Sequence, residues 1–202
     1  MDKKYYVALD EEMLDDPFNP ETLFPLERIV GVLSRICRWN GRCNQFYSVL
    51  DHSINLSLMV PPEFAVQALV HDFAEAYTGD WPAPLKKMPE MAWFTEREKA
   101  LEKRIWNFYA GVSEISPVVM EYDRIIARME ANRLGLGGEW SRGIGDDKPW
   151  LFVRNTTVKD FFDTLTRISA FSAVGGVMGE WVRGGNNAKA LPHFVIVLPK
   201  LA

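Results

Sequence analysis

An adjacent polar pair, His71 and Asp72, lies inside the mainly apolar stretch from Phe64 to Tyr77, and it constrains the fold of this chain more than any other feature. Phe64, Leu69, Val70, Phe73, Ala74 and Tyr77 recur at spacings of three to five, which predicts a core-facing helix over roughly 63–77. A His and a charged Asp on or beside such a face are costly to bury unless something pairs with them. A bound metal cation satisfies both at once; a buried hydrogen-bonded pair is the competing reading. The chain has only three histidines, and His52 lies on the preceding helical segment. Two elements are therefore able to converge on one site.

The chain has 202 residues, the size of one domain with a substantial core. A formal net charge of -4 argues against a broad nucleic-acid footprint, so no stable nucleic-acid complex is expected. No run approaches the ~18 apolar residues of a membrane span, and Met1-Asp-Lys-Lys-Tyr-Tyr lacks the plan of a signal peptide. Cys37 and Cys43 match no zinc or redox spacing and read as free thiols. The expectation is a cytoplasmic protein without membrane association.

Apolar periodicity predicts a helix from Leu26 to near Arg38, with Gly41 in the following turn, and a second from about Ser48 to Val60 that Pro61-Pro62 stops. After the 63–77 helix, residues 78–86 read as a loop, since a glycine and two prolines oppose a continuous helix. A charged helix follows from about Trp93 to Tyr109, its Glu96, Arg97, Glu98, Lys99, Glu102, Lys103 and Arg104 taken as a solvated face. Another runs from Pro117 to Leu134 with Ser116 as N-cap. Five glycines make 135–149 a long loop, and Thr157-Val-Lys-Asp160 resembles a capping box opening a helix to about Val174. His193–Leu198 reads as a short strand. Helix without strand–helix alternation points to an all-α domain spanning 1–202, with a motif-bearing core at about 26–134 and an extension, 135–202, without a readable role.

On one helix His71 and Glu75 lie four apart and Asp72 and Glu75 three apart, so the three side chains leave neighbouring parts of one surface. Imidazole and carboxylate ligands suit zinc, manganese, cobalt or iron. Asp123, set among Val118, Val119, Tyr122, Ile125 and Ile126, is a candidate fourth ligand beside His52, His71 and Asp72. Two nitrogens and two oxygens leave coordination positions for water and substrate.

A histidine, then His-Asp, then a distant Asp is the H…HD…D pattern of the HD-domain phosphohydrolase superfamily, which this chain resembles. Tyr47-Ser-Val-Leu-Asp-His52-Ser and His71-Asp-Phe-Ala-Glu-Ala-Tyr-Thr-Gly-Asp-Trp-Pro-Ala-Pro-Leu-Lys86 resemble the YfbR-like 5′-deoxynucleotidases, and still more the phage DatZ-type deoxynucleoside triphosphohydrolases. Arg35-Ile-Cys-Arg-Trp-Asn-Gly41 and Asp16-Pro-Phe-Asn-Pro20 point the same way, and the similarity covers roughly residues 14–134.

The resemblance implies an HD-domain helical bundle that holds a divalent metal ion (Zn, Co, Mn or Mg) through His52, His71, Asp72 and Asp123. It implies that Glu75 orients or deprotonates the attacking water or helps hold a second metal, and that Asp80 contacts the sugar or assists the attack. Arg38 would hold phosphate oxygens, Trp39 would press where a 2′-hydroxyl sits, Pro82 would line the base or sugar side, and Lys86 would touch phosphate. On the residues alone, Arg38-Trp39 also fits a plain helix end and Lys86 a solvated loop charge. The implied function is hydrolysis of 2′-deoxynucleotides by a homo-oligomer, dimer or hexamer, with dATP favoured and deoxynucleoside and triphosphate released. The alternatives are a 5′-deoxynucleotidase of monophosphates, a non-catalytic nucleotide-binding HD protein, and a hydrolase of a signalling ribonucleotide.

Overall fold

The computed structural model describes residues 6–7, 13–14, 16–142 and 152–175, and among these eight α-helices carry the fold. The lead-in adds one two-residue antiparallel pair, β1 (Tyr6–Val7) and β2 (Met13–Leu14), with Tyr6 opposite Leu14. The architecture is all-α, as the periodicity requires. The strand expected at 193–198 lies outside the described residues.

Helix α1 (Leu26–Leu33) buries Ile29, Val30, Gly31 and Leu33, and stops well short of Arg38. Tertiary pairing ends it: Arg38 N–H donates to Tyr47 O at 2.9 Å and Val49 N–H to Ile36 O at 3.0 Å, drawing 36–38 into an extended bridge beside 47–49. A 3₁₀ turn, Arg38–Gly41, follows.

Helix α2 (Val49–Met59) runs through the centre, buried from Val49 to Ser57 and packed on α1, on α3 (Ala65–Val70), on α7 (Pro117–Arg133) and on α8 (Val158–Gly175). Its start is a reciprocal capping box: Ser48 Oγ accepts from Asp51 N at 3.0 Å, and Asp51 Oδ2 accepts from Ser48 N at 2.8 Å. A helix buried on every side has no solvent for its polar groups, so each needs a partner. Asp51 Oδ1 also accepts from the N–H and hydroxyl of Thr156, and Asn55 makes a two-way pairing with the Val153 backbone. These bonds fasten the segment before α8 to α2.

The expected 63–77 helix is broken. A 3₁₀ turn (Pro62–Phe64) leads into α3, a tight turn covers 71–74, and α4 (Glu75–Thr78) ends at Gly79 with φ of 82°. In the turn, bonds run three residues back instead of four, from Phe73 N to Val70 O and from Glu75 N to Asp72 O. This tightening advances successive side chains by more than an α-helical step. The loop expected at 78–86 contains the one-turn α5 (Ala83–Lys86) after Pro82, and that expected at 135–149 contains a 3₁₀ turn, Glu139–Ser141.

Helix α6 (Ala92–Ala110) closes at Gly111, whose φ of 66° lies in the left-handed region glycine adopts without cost. Its charged residues are not all on a solvated face. Glu98 is buried, because Lys86 and Thr78 come down onto it. Ser116 caps α7 through Val118 N–H, and Thr157 with Asp160 forms the capping box that opens α8. No helix among the described residues is long and apolar enough to cross a membrane.

Candidate metal centre

Three of the four sequence-expected ligands, His52, His71 and Asp72, come together as one group, and the fourth, Asp123, meets that group at His52. His52 comes from the second turn of α2, His71 and Asp72 from the tight turn after α3, and Asp123 from α7. His52 Nε2 lies 3.3 Å from His71 Nε2, 3.7 Å from Asp72 Oδ2 and 3.1 Å from Asp123 Oδ1, while His71 Nε2 is 3.1 Å from Asp72 Oδ2. His52, His71 and Asp72 each offer a donor atom within 4.8 Å of the others. Donor atoms around a tetrahedral ion with 2.0–2.1 Å bonds stand about 3.3 Å apart. The spacing fits a divalent cation.

The far ring nitrogens settle which atoms face inward. His71 Nδ1 meets the carbonyl of Ala68 at 2.8 Å, an acceptor only, so Nδ1 carries the hydrogen and Nε2 presents its lone pair. His52 Nδ1 donates to the Glu130 carboxylate at 2.8 Å, so Nε2 is the nitrogen turned toward the cluster, and a cation bound there would displace the proton it carries near neutral pH. A carbonyl or carboxylate behind each imidazole is the usual support of a metal-binding histidine. The turn that carries the pair is itself held, with Trp106 Nε1 of α6 donating to His71 O at 3.0 Å.

Glu130 escapes a reading of the sequence. It is wholly buried on α7, accepts from His52 Nδ1 and from the Tyr47 hydroxyl at 2.5 Å, and faces Arg38 Nε at 3.6 Å as an ion pair. One signal was available: Glu130 follows Asp123 by two helical turns, on the same face and between apolar neighbours.

Electrostatics follow from this crowding. Burial lowers the His52 pKa, but the Glu130 and Asp123 carboxylates outweigh it and hold the ring at about 9. Burial opposes ionisation of Asp72, yet the adjacent His71, His52 and Arg38 keep it far below the usual carboxylate range; Asp123 is held down by His52. Glu75 is pushed the other way, first by burial and then by the charges of Asp72 and Asp80. It is 8% exposed and its Oε2 has no hydrogen-bond partner among the described residues. Asp80, half-buried beyond Gly79, is also raised by burial.

Arg38 reaches the centre from the 3₁₀ turn. Its Nη1 lies 3.4 Å from Asp72 Oδ2, and its Nε makes no hydrogen bond within the described residues. Nε faces the Glu130 carboxylate at 3.6 Å, so the guanidinium sits between Glu130 and Asp72. Trp39, next in sequence, adopts φ of 59° and Asn40 φ of 50°, backbone conformations that cost energy for residues with side chains. Pro82 precedes α5 and is half-buried. Lys86 Nζ pairs with Glu98 Oε2 at 2.7 Å.

No protein-family model matches the chain. Over 111 residues it is 40% identical to YfdR, an uncharacterized protein of Escherichia coli (strain K12). The matched stretch is 54% of this chain and 61% of YfdR, so the chain spans about three fifths of that relative's length.

Proposed function

We propose that this protein is a divalent-metal-dependent phosphohydrolase of 2′-deoxynucleotides with an HD-domain bundle, a triphosphohydrolase that takes dATP and releases deoxyadenosine and triphosphate. The observation that carries this reading is the cluster of His52, His71 and Asp72, with Asp123 Oδ1 3.1 Å from His52 Nε2 and the buried Arg38 guanidinium 3.4 Å from Asp72 Oδ2. Two inward imidazole nitrogens and two carboxylates that stay ionised fit a cation, and a guanidinium fits the anion the cation attracts.

In the reaction, a water oxygen bonds to the α-phosphorus and the bond from that phosphorus to O5′ breaks. The electron pair goes to O5′, which gains a proton as the water loses one. A bound divalent ion supplies Lewis acidity and a water acidic enough to attack at neutral pH. Arg38 stays charged and stabilises the negative charge on the phosphoryl oxygens. Glu75, buried, and Asp80, half-buried, both with carboxyls above their ordinary range, would exchange protons with the attacking water and the leaving O5′. Cleavage of a deoxynucleoside monophosphate breaks the same bond, so the two substrate classes differ in what lies beyond the α-phosphate.

A panel of dNTPs, NTPs and dNMPs with cobalt, manganese, zinc and magnesium, its products separated by chromatography, tests the reading. Triphosphate released from dATP supports it. Turnover of dAMP alone replaces it with a 5′-deoxynucleotidase, and tight binding of dATP without turnover under every metal replaces it with a binding protein.

A further inference from the structure

Trp140 is 48% exposed, yet it stands on a fixed support. Its 3₁₀ turn is tied to α7: the Ser141 hydroxyl, fully buried, donates to Asn132 Oδ1 at 2.7 Å and accepts from Gly138 N at 2.9 Å. Asn132 Nδ2 returns a bond to Ser141 O at 2.8 Å. Asn132 lies two residues beyond Glu130, so the turn hangs from the same helix end that seats His52.

The indole of Trp140 packs against that of Trp39, with centroids 6.1 Å apart and planes inclined by 45°. The guanidinium carbon of Arg38 lies 5.9 Å from the Trp39 ring centroid, and Arg38 Nη1 is 3.4 Å from Asp72. Contacts therefore lead from the ligand cluster through a cation to two indoles, the outer one half-open to solvent. Trp39 Nε1 is buried without a hydrogen-bond partner among the described residues, leaving a donor beside the arginine. A molecule with phosphate at one end and a flat ring at the other matches this order of groups.

We propose that Trp140, backed by Trp39, is the wall on which the base of a bound nucleotide stacks while its phosphate lies at Arg38 and the ligand cluster. This rests on the deoxynucleotide reading above. Indole faces stack on any base, so the wall adds affinity for the base without selecting among bases. Selection against adenine analogues has to come from other groups.

Binding of dAMP and of 2-deoxyribose 5-phosphate, which differ only by the base, is measured calorimetrically with manganese in a Glu75→Gln background that prevents turnover. Trp140→Ala is expected to weaken dAMP roughly tenfold, as loss of a single base–aromatic stack does, and to leave 2-deoxyribose 5-phosphate unchanged. Trp140→Phe is expected to retain most of the dAMP affinity, which separates a lost stack from a disturbed turn. Equal changes for both ligands, or none for either, overturn the wall alone. If the parent protein binds dATP but neither of these ligands, the Trp140 variants are compared on dATP against triphosphate with the same expectation; if it binds none of them, the deoxynucleotide reading falls and the wall with it.

Discussion

His52 and Glu130, 78 residues apart in sequence, meet in the centre of the fold with Nδ1 2.8 Å from Oε1 and no exposure of either side chain. Glu130 fixes the ring so that Nε2 faces His71 and Asp123, and its charge strengthens the imidazole as a ligand. It does this without touching the cation site.

Replacing Glu130 by Gln keeps an acceptor for His52 and removes the charge. Metal affinity, measured by competition with a chromogenic chelator, should fall roughly 10- to 100-fold while the helical content stays unchanged. Unaltered affinity would mean that Glu130 serves Tyr47 and Arg38 only.

Lys86 and Glu98 form a largely buried pair that clasps the segment carrying Asp80 and Pro82 onto α6; Thr78 adds a bond to Glu98 at 3.3 Å. Lys86→Met strands the Glu98 carboxylate and should cost about 2–3 kcal/mol, less than a fully buried pair because Lys86 keeps some exposure. Lys86→Met with Glu98→Leu should recover most of that loss in urea unfolding. A single variant of normal stability whose KM alone rises would instead return Lys86 to the phosphate.

Glu102 titrates near neutrality. Burial and then the charge of Glu98 raise its carboxyl to about 7, against the weaker pull of Lys86. The native chain therefore holds a proton that the unfolded chain releases near pH 4.5. Stability from this group is fully present below about pH 4.5 and is lost as pH rises toward 7, by at most about 1.4 kcal/mol per unit. Glu102→Gln should remove that slope, so the variant gains on the wild type between pH 5 and 7.5 in paired melts. Parallel pH profiles would show Glu102 ionised throughout.

Trp39 is held at a left-handed backbone angle beside Arg38. If its indole fills the space of a 2′-hydroxyl, Trp39→Ala should reduce discrimination between dATP and ATP, read as the ratio of their kcat/KM values. A preserved ratio would leave the indole with a packing role only.

The helices that the sequence made legible are those with a capping signal or an uninterrupted apolar face. Ser116 before Pro117 and Thr157 with Asp160 each start a helix where the residue chemistry placed them. The polar pair His71-Asp72 announced a site because its burial demanded a partner. What stayed hidden depends on contacts distant in sequence. α1 ends early because 36–38 pair with 47–49, and the helix carrying His71 tightens where its bonds shorten to three residues. Glu98 looked solvated because nothing in α6 reveals that Lys86 folds onto it, and Glu130 sat unnoticed in an apolar helix face.

Cobalt bound per chain after gel filtration, in the wild type and in His71→Ala and Asp72→Asn, tests the centre most directly. The expected result is at least one tightly held cobalt per wild-type chain, with absorption typical of mixed nitrogen and oxygen ligands, and its loss in both variants while circular dichroism is retained. A wild-type chain that retains no metal, or variants that retain as much as the wild type, would contradict the metal centre.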